Sequence, residues 1–166
     1  MAVDDPTWIA ATVARFERPL LAYVRGLLAD RHGGRDVVQE TFLELCRCDR
    51  ATVEPKLAPW LFTVCRRRAL DTYRKETRMT ALTVEPPGKT AGPAEITEAQ
   101  DTAAAILARL ADLPPQQREA VRLRFLQSFS YREIAGVMGL TESHVGVLLH
   151  TALKTLRQTF TPEAQS

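Results

Sequence analysis

A chain of 166 residues, 45% hydrophobic and 25% charged, carries enough apolar side chains for one domain or two small ones, which excludes a disordered composition. A formal net charge of +2 is too mild to establish a nucleic-acid partner, so the placement of the charges says more than their sum. Three cysteines, an acidic opening "MAVDDPTW" without an apolar leader core, and no apolar run near the roughly 18 residues of a membrane span lead to the expectation of a reduced, cytoplasmic protein.

From Thr7 to Met79 the apolar residues recur at helical spacing. Within this part, "DVVQETFLELCR" (Asp36–Arg47) places Asp36 and Glu40 four residues apart, hence on one helix face. "KLAPWLFTVCRRRALDTYRKETR" (Lys56–Arg78) follows. Leu57, Trp60, Leu61 and Val64 form its apolar stripe, and Trp60 is read as core. Arg66, Arg67, Arg68, Arg74, Lys75 and Arg78 set six positive charges against Asp71 and Glu76. On a helix, Arg67, Arg74 and Arg78 share an arc with Asp71, Arg68 and Lys75 flank it, and Arg66 points elsewhere. A dense basic arc beside the aromatics Trp60, Phe62 and Tyr73 suits a surface that neutralises phosphates and stacks on exposed bases.

The stretch "ALTVEPPGKTAGPAE" (Ala81–Glu95) holds three prolines and two glycines and has no periodic apolar face, so residues 81–96 read as a linker. The helical pattern returns from Thr97 to Phe160. Pro114 and Pro115 suit a helix start, where a missing N–H is harmless, and that helix is expected to run to about Gln127 with Val121 and Phe125 on one face. Ser130-Tyr131-Arg132-Glu133 is a capping box. Ile134, Ala135 and Met138 then face inward, Gly139 suits a C-terminal cap at positive φ, and Thr141 can cap the next helix. In that last helix Val145, Leu148, Leu149, Ala152, Leu153 and Leu156 make an apolar stripe, opposite Ser143, His144, Val147, His150, Thr151 and Lys154. A short helix, a Gly turn and a longer helix with a small polar outer face is a helix-turn-helix pattern. No segment alternates with period two, so the fold class is all-α: two small helical domains, 5–80 and 97–160, joined by a flexible linker.

Taken in order, "DVVQETFLELCR", "PWLFTVCRRRALDTYRK" and "LADLPPQQREAVRLRFLQSFSYREIAGVMGLTESHVGVLLHTALKTLR" resemble the bacterial σ70 family of RNA polymerase sigma factors, and among them the extracytoplasmic-function (ECF) type, which keeps only the second and fourth conserved regions. The resemblance implies that 5–80 is a region-2-like helical bundle binding core polymerase and the −10 promoter element, and that 97–160 is a region-4-like helix-turn-helix binding the −35 element. It places Asp36, Gln39 and Glu40 on the β′ clamp helices. Arg67, Arg68, Asp71, Arg74, Lys75 and Arg78 fall to the melted −10 strand, with the Cys48–Pro59 loop around a flipped base. Ser143, His144, Val147, His150, Thr151 and Lys154 fall to the −35 major groove. The chain departs from the family pattern in having Arg35 where an acid is common, Arg67 where Asn is common, and no Lys or Arg at Gly146, Leu148 or Thr151. A groove helix nearly uncharged at its tip is sufficient in such a factor, because a DNA module clamped on polymerase gains effective concentration and reads shape or thymine methyls through Val147 and Thr151, while Lys154 and Arg157 remain available for phosphate.

Cys46-x-Cys48 on a helix points its thiols about 200° apart, and with Cys65 and His32 it lacks zinc-ligand spacing. No metal and no cofactor are expected, and no catalytic motif appears, so no enzyme is expected. An anti-sigma factor or other regulator is a partner that the sequence does not identify. Two other readings stay open here. One is a stand-alone helix-turn-helix regulator. The other is a protein-interaction module using the apolar Val147/Leu148 tip.

Overall fold

The computed structural model describes residues 5–28, 33–80 and 108–160; the linker assigned to 81–96, the start of the second domain and His32 lie outside them. Every regular element among the described residues is helical. The chain divides into two compact units, with the helices up to Thr80 in the first and the helix from Pro115 and the last helix in the second.

In the first unit, helix α1 (Pro6–Leu28) is started by Asp5, whose carboxylate accepts from the Thr7 amide at 3.0 Å. Phe16, Leu20, Tyr23, Val24 and Leu28 recur at three- and four-residue steps and are all buried. Helix α2 (Gly34–Cys46) begins after Gly33, whose φ of 110° lies in the region that glycine alone adopts without strain. A Cβ there would sit 3.4 Å from the Thr72 side chain, so the start of α2 lies close against the helix that bears Thr72. That helix is α4 (Leu57–Thr80). Helices α1, α2 and α4 pack pairwise. Their shared core holds Leu20, Val24, Val37, Leu45, Leu61, Phe62 and Cys65, with Tyr23 and Phe62 rings 5.1 Å apart in a tilted pair. Each fully buried Leu or Phe contributes about 1.5–3 kcal/mol relative to exposure. The one polar residue in the middle of α2's inner face, Thr41, donates to the Val37 carbonyl at 2.8 Å, so it is buried without an orphan hydroxyl.

The segment expected to be a loop before α4 is largely helical. A single turn α3 (Arg50–Val53) is capped by Asp49, which accepts from the Ala51 amide, and a 3₁₀ turn at Glu54–Lys56 leads into α4. Val53 inserts into the core. Arg50 lies over the Trp8 ring at 4.9 Å and bonds to Asp5 and Glu54, so residues 50–56 are fastened to the start of α1. Trp60 and Leu57 are half-buried, and Leu61 and Val64 are buried, as an inward stripe requires.

In the second unit, α5 (Pro115–Phe125) starts with Pro115 at its first position. It ends two residues earlier than the periodicity suggests, and Phe125 does not share the inward face of Val121: Phe125 is 57% exposed while Val121 is buried. Phe125 is the last residue of the helix and the chain turns back just after it: the Phe129 amide bonds to the Leu123 carbonyl, and Phe129 is the buried aromatic. Helix α6 (Tyr131–Met138) has both halves of the capping box: the Glu133 amide donates to Ser130 Oγ at 3.1 Å and the Ser130 amide donates to Glu133 Oε1 at 2.9 Å. Gly139 closes it at φ 67°. Thr141 then accepts from the His144 amide at 3.1 Å and starts α7 (Glu142–Phe160).

Candidate nucleic-acid and protein interfaces

On α7 the structure separates two sets of side chains. Val145, Leu148, Leu149 and Ala152 are buried, and Leu153 and Leu156 are half-buried. Ser143, His144, Val147, His150, Thr151 and Lys154 are all exposed, so the six residues expected to face DNA share the outer side of one helix. Val147 is 63% exposed, an apolar tip with solvent around it. Gly146 lies beneath Tyr131, 3.7 Å from where a Cβ would meet the ring, and Arg124 stacks on that ring at 5.3 Å while donating to the Phe129 carbonyl. The turn between α5 and α6 is thus braced from both ends, which fixes how the hairpin presents α7.

In the first unit, Asp36, Gln39 and Glu40 are exposed on α2, and Arg35 is exposed beside them. Val37, Val38 and Thr41 on the other side are buried, so the acids are held outward by the packing of their neighbours. Sequence reasoning missed a groove of about 600 Å³ along α1 and α2, lined by Val13, Leu21, Phe42 and the exposed Leu43, with Arg35 and Gln39 at its edge. Its signal was present in Leu43, an apolar residue placed among the outward positions of α2.

Sequence reasoning also missed what joins the acids to the arginines. Glu44, one turn beyond Glu40, is half-buried and faces α4. Arg68 Nη2 and Nε donate to its Oε2 at 2.7 and 3.1 Å, and Arg67 Nη2 donates to its Oε1 at 3.0 Å. Arg68 Nη1 reaches Glu40 Oε2 at 3.1 Å. Partial burial pushes the Glu44 carboxyl up, but the hydrogen bonds and charges of Arg68 and Arg67 outweigh it and hold the group below its usual range. Further along α4, Arg74 lies 3.8 Å from Asp71, and both are exposed, as are Lys75 and Arg78. Arg66 is half-buried, turned away from that arc. The Cys65 thiol is buried, and burial pushes it up to about 12 against a lowering by its hydrogen bond with Thr41. Burial, then the Glu44 charge, also raises the half-buried Cys48. Among the described residues no group of three or more His, Cys, Asp or Glu is placed to hold a metal ion, and no helix is long and apolar enough to cross a membrane.

A first helical unit with exposed acids on α2 and exposed bases along α4, and a second unit built on a helix-turn-helix hairpin, make up a bipartite helical protein. The family model for Sigma-70 region 2 matches residues 12–79, and that for Sigma-70 region 4 matches 103–156. The ECF RNA polymerase sigma factor SigL of Mycobacterium tuberculosis is 31% identical over 148 residues, covering 84% of this chain and 81% of that protein. SigM of Bacillus subtilis, another ECF sigma factor, is 25% identical over 140 residues, covering 81% and 84%. The solved sigma factor RpoE of Bartonella quintana, in complex with the anti-sigma factor NepR, has the same fold at a TM-score of 0.66 and 22% identity, covering 90% of this chain and 94% of that one. This chain belongs to the σ70 family and is an RNA polymerase sigma factor of the ECF type. With both regions matched, a stand-alone helix-turn-helix regulator and a protein-interaction module are not favoured.

Proposed function

We propose a division of labour in which residues 5–80 dock on core polymerase and capture the −10 strand, residues 97–160 read the −35 element, and 81–96 connect them. Asp36, Gln39 and Glu40 contact the β′ clamp helices. Their exposure on one edge of α2, backed by a buried Val37/Val38 face, supports this role. On α4, Arg67, Arg74, Lys75 and Arg78 contact the melted non-template strand, Asp71 orients Arg74, and Arg68 braces the helix against α2. Residues 48–59, which lead into this helix and include its first turn, form the rim around a flipped base; the regular structure of α3 and the 3₁₀ turn supports a preformed rim. Extruding a base costs a few kcal/mol, which several charge contacts in a clamped complex offset. On α7, Ser143, His144, Val147, His150 and Thr151 read base edges and thymine methyls, and Lys154 contacts phosphate. The protein acts in the cytoplasm without catalysing a reaction of its own, and a regulator of the anti-sigma kind is a further partner.

The observation that carries this reading is the outer face of α7: six residues exposed together on a helix whose other side is buried, with a single formal positive charge among them. Such a helix lacks the phosphate contacts for tight binding by itself and is suited to a tethered reader. In vitro transcription with core enzyme and a genomic promoter library tests it. Transcripts that require the added chain and share two spaced upstream elements are the expected result. Specific duplex binding by the chain alone, with no transcript dependent on it, would be the contrary one.

A further inference from the structure

The arginines of α4 do not present equal charge to solvent. The Arg68 side chain is 29% exposed, and its Nε, Nη1 and Nη2 all donate to carboxylates of α2. Three of its five N–H donors, one on each nitrogen, are taken by these two carboxylates, so the paired edge of the fork is turned to α2 and is not offered to a phosphate. The Arg67 side chain is 59% exposed and gives one nitrogen, Nη2, to Glu44. Two arginines and two acids sum to zero, so this cluster adds no net charge, while Arg74, Lys75 and Arg78 further along remain exposed.

We propose that Glu44 is a positioning residue for strand capture: by gripping Arg68 it removes that arginine from the DNA-facing set, and by holding one nitrogen of Arg67 it aims the remaining donors of that side chain outward. The proposal rests on the strand-capturing role assigned to α4 above. Arg68 then serves as a brace between the docking helix and the strand-binding helix, and the phosphate-contacting charge of α4 is Arg67, Arg74, Lys75 and Arg78. Glu44 sits 23 and 24 residues from its two partners in sequence, so the pairing depends on the folded crossing of α2 and α4.

The test reads counterion release. Full-length chain assembled on core polymerase is titrated with a fluorescent mixed-sequence single-stranded oligodeoxynucleotide at several salt concentrations, with core enzyme alone subtracted. Each phosphate contact to a single strand contributes about 0.7 to the slope of log K against log salt. R68Q is expected to leave the slope at its wild-type value. E44Q removes the carboxylate that takes two of the three Arg68 bonds, leaving only the pair with the exposed Glu40, which a phosphate displaces, and is expected to steepen the slope by about 0.7, the size of one added phosphate interaction. E44Q/R68Q is expected to return it to the wild-type value. A shallower slope in R68Q, or an unchanged or shallower slope in E44Q, overturns the proposal. R68Q keeps the test decisive even if E44Q folds poorly. Failure of the wild-type complex to bind strand above core alone would instead remove the role of α4 itself, and this proposal with it.

Discussion

Replacing Arg67 and Arg74 together by alanine separates strand capture from every other step. Both side chains are mostly exposed, at 59% and 71%, and neither contributes to the core, so the helix is expected to remain intact. Arg67 gives only one nitrogen to Glu44, and Arg74 stands 3.8 Å from Asp71, a loose pair that a phosphate displaces easily. Removing one arginine–phosphate hydrogen bond costs about 1 kcal/mol net, and removing two corresponds to roughly a 30-fold change in the equilibrium for opening. Opening on a duplex promoter is a step within the bound complex, so excess protein cannot restore it. On a template with a pre-opened −10 bubble the same hydrogen bonds contribute only to affinity, and excess protein does restore it. Run-off transcription at saturating holoenzyme is therefore expected to fall about 30-fold on duplex and to stay near wild type on the pre-opened template. Core affinity, titrated separately, is expected to be unchanged. Equal impairment on both templates at saturation would refute the assignment of these arginines to the melted strand.

Reversing the docking edge with D36R/E40R is expected to lower core affinity while far-UV circular dichroism stays at wild type, because both residues are exposed; unchanged affinity in a direct titration would contradict it. Ser130→Ala removes the acceptor of the Glu133 amide and is expected to destabilise the second unit by about 1 kcal/mol, read by chemical denaturation of the full chain. The Cys65 thiol, held protonated by burial up to about 12, ionises more readily in the unfolded chain, so its contribution to stability is complete at neutral pH and is lost as pH rises from the ordinary thiol value through about 12. Iodoacetamide at about pH 8 is accordingly expected to modify Cys46 and Cys48 well before Cys65, which peptide mass spectrometry reads directly.

What the sequence reveals and conceals here follows from the range of the interactions. The capping box at Ser130, the turn at Gly139 and the cap at Thr141 each depend on residues within three or four positions, and the hairpin they define is present with those bonds. The inward stripe of α7 is likewise local, set by helical period alone. Phe125 shows where period fails: spacing puts it beside Val121, but the helix ends there, the chain turns back, and Phe129 is buried while Phe125 is exposed. The segment before α4 carried a local signal, Asp49 ahead of Arg50 and Pro55 in the next turn, that marks a short capped helix rather than a loop. The arc of arginines was legible as a helical periodicity, but the pairing of Arg67 and Arg68 was not. Their partner Glu44 belongs to a different helix, and no spacing rule along one chain segment reaches across that distance.

The split on α7 between buried and exposed residues has an evolutionary consequence. Val145, Leu148, Leu149 and Ala152 hold the helix in place, and Ser143, His144, Val147, His150 and Thr151 take no part in that packing. Exchanges at such solvent-facing positions usually alter stability by less than about 0.5 kcal/mol. On the −35 role proposed for α7, mutation can therefore rewrite which upstream sequence this helix prefers while the scaffold stays intact. A duplicated copy of the gene is free to drift toward a different set of promoters without first acquiring a compensating change in its core.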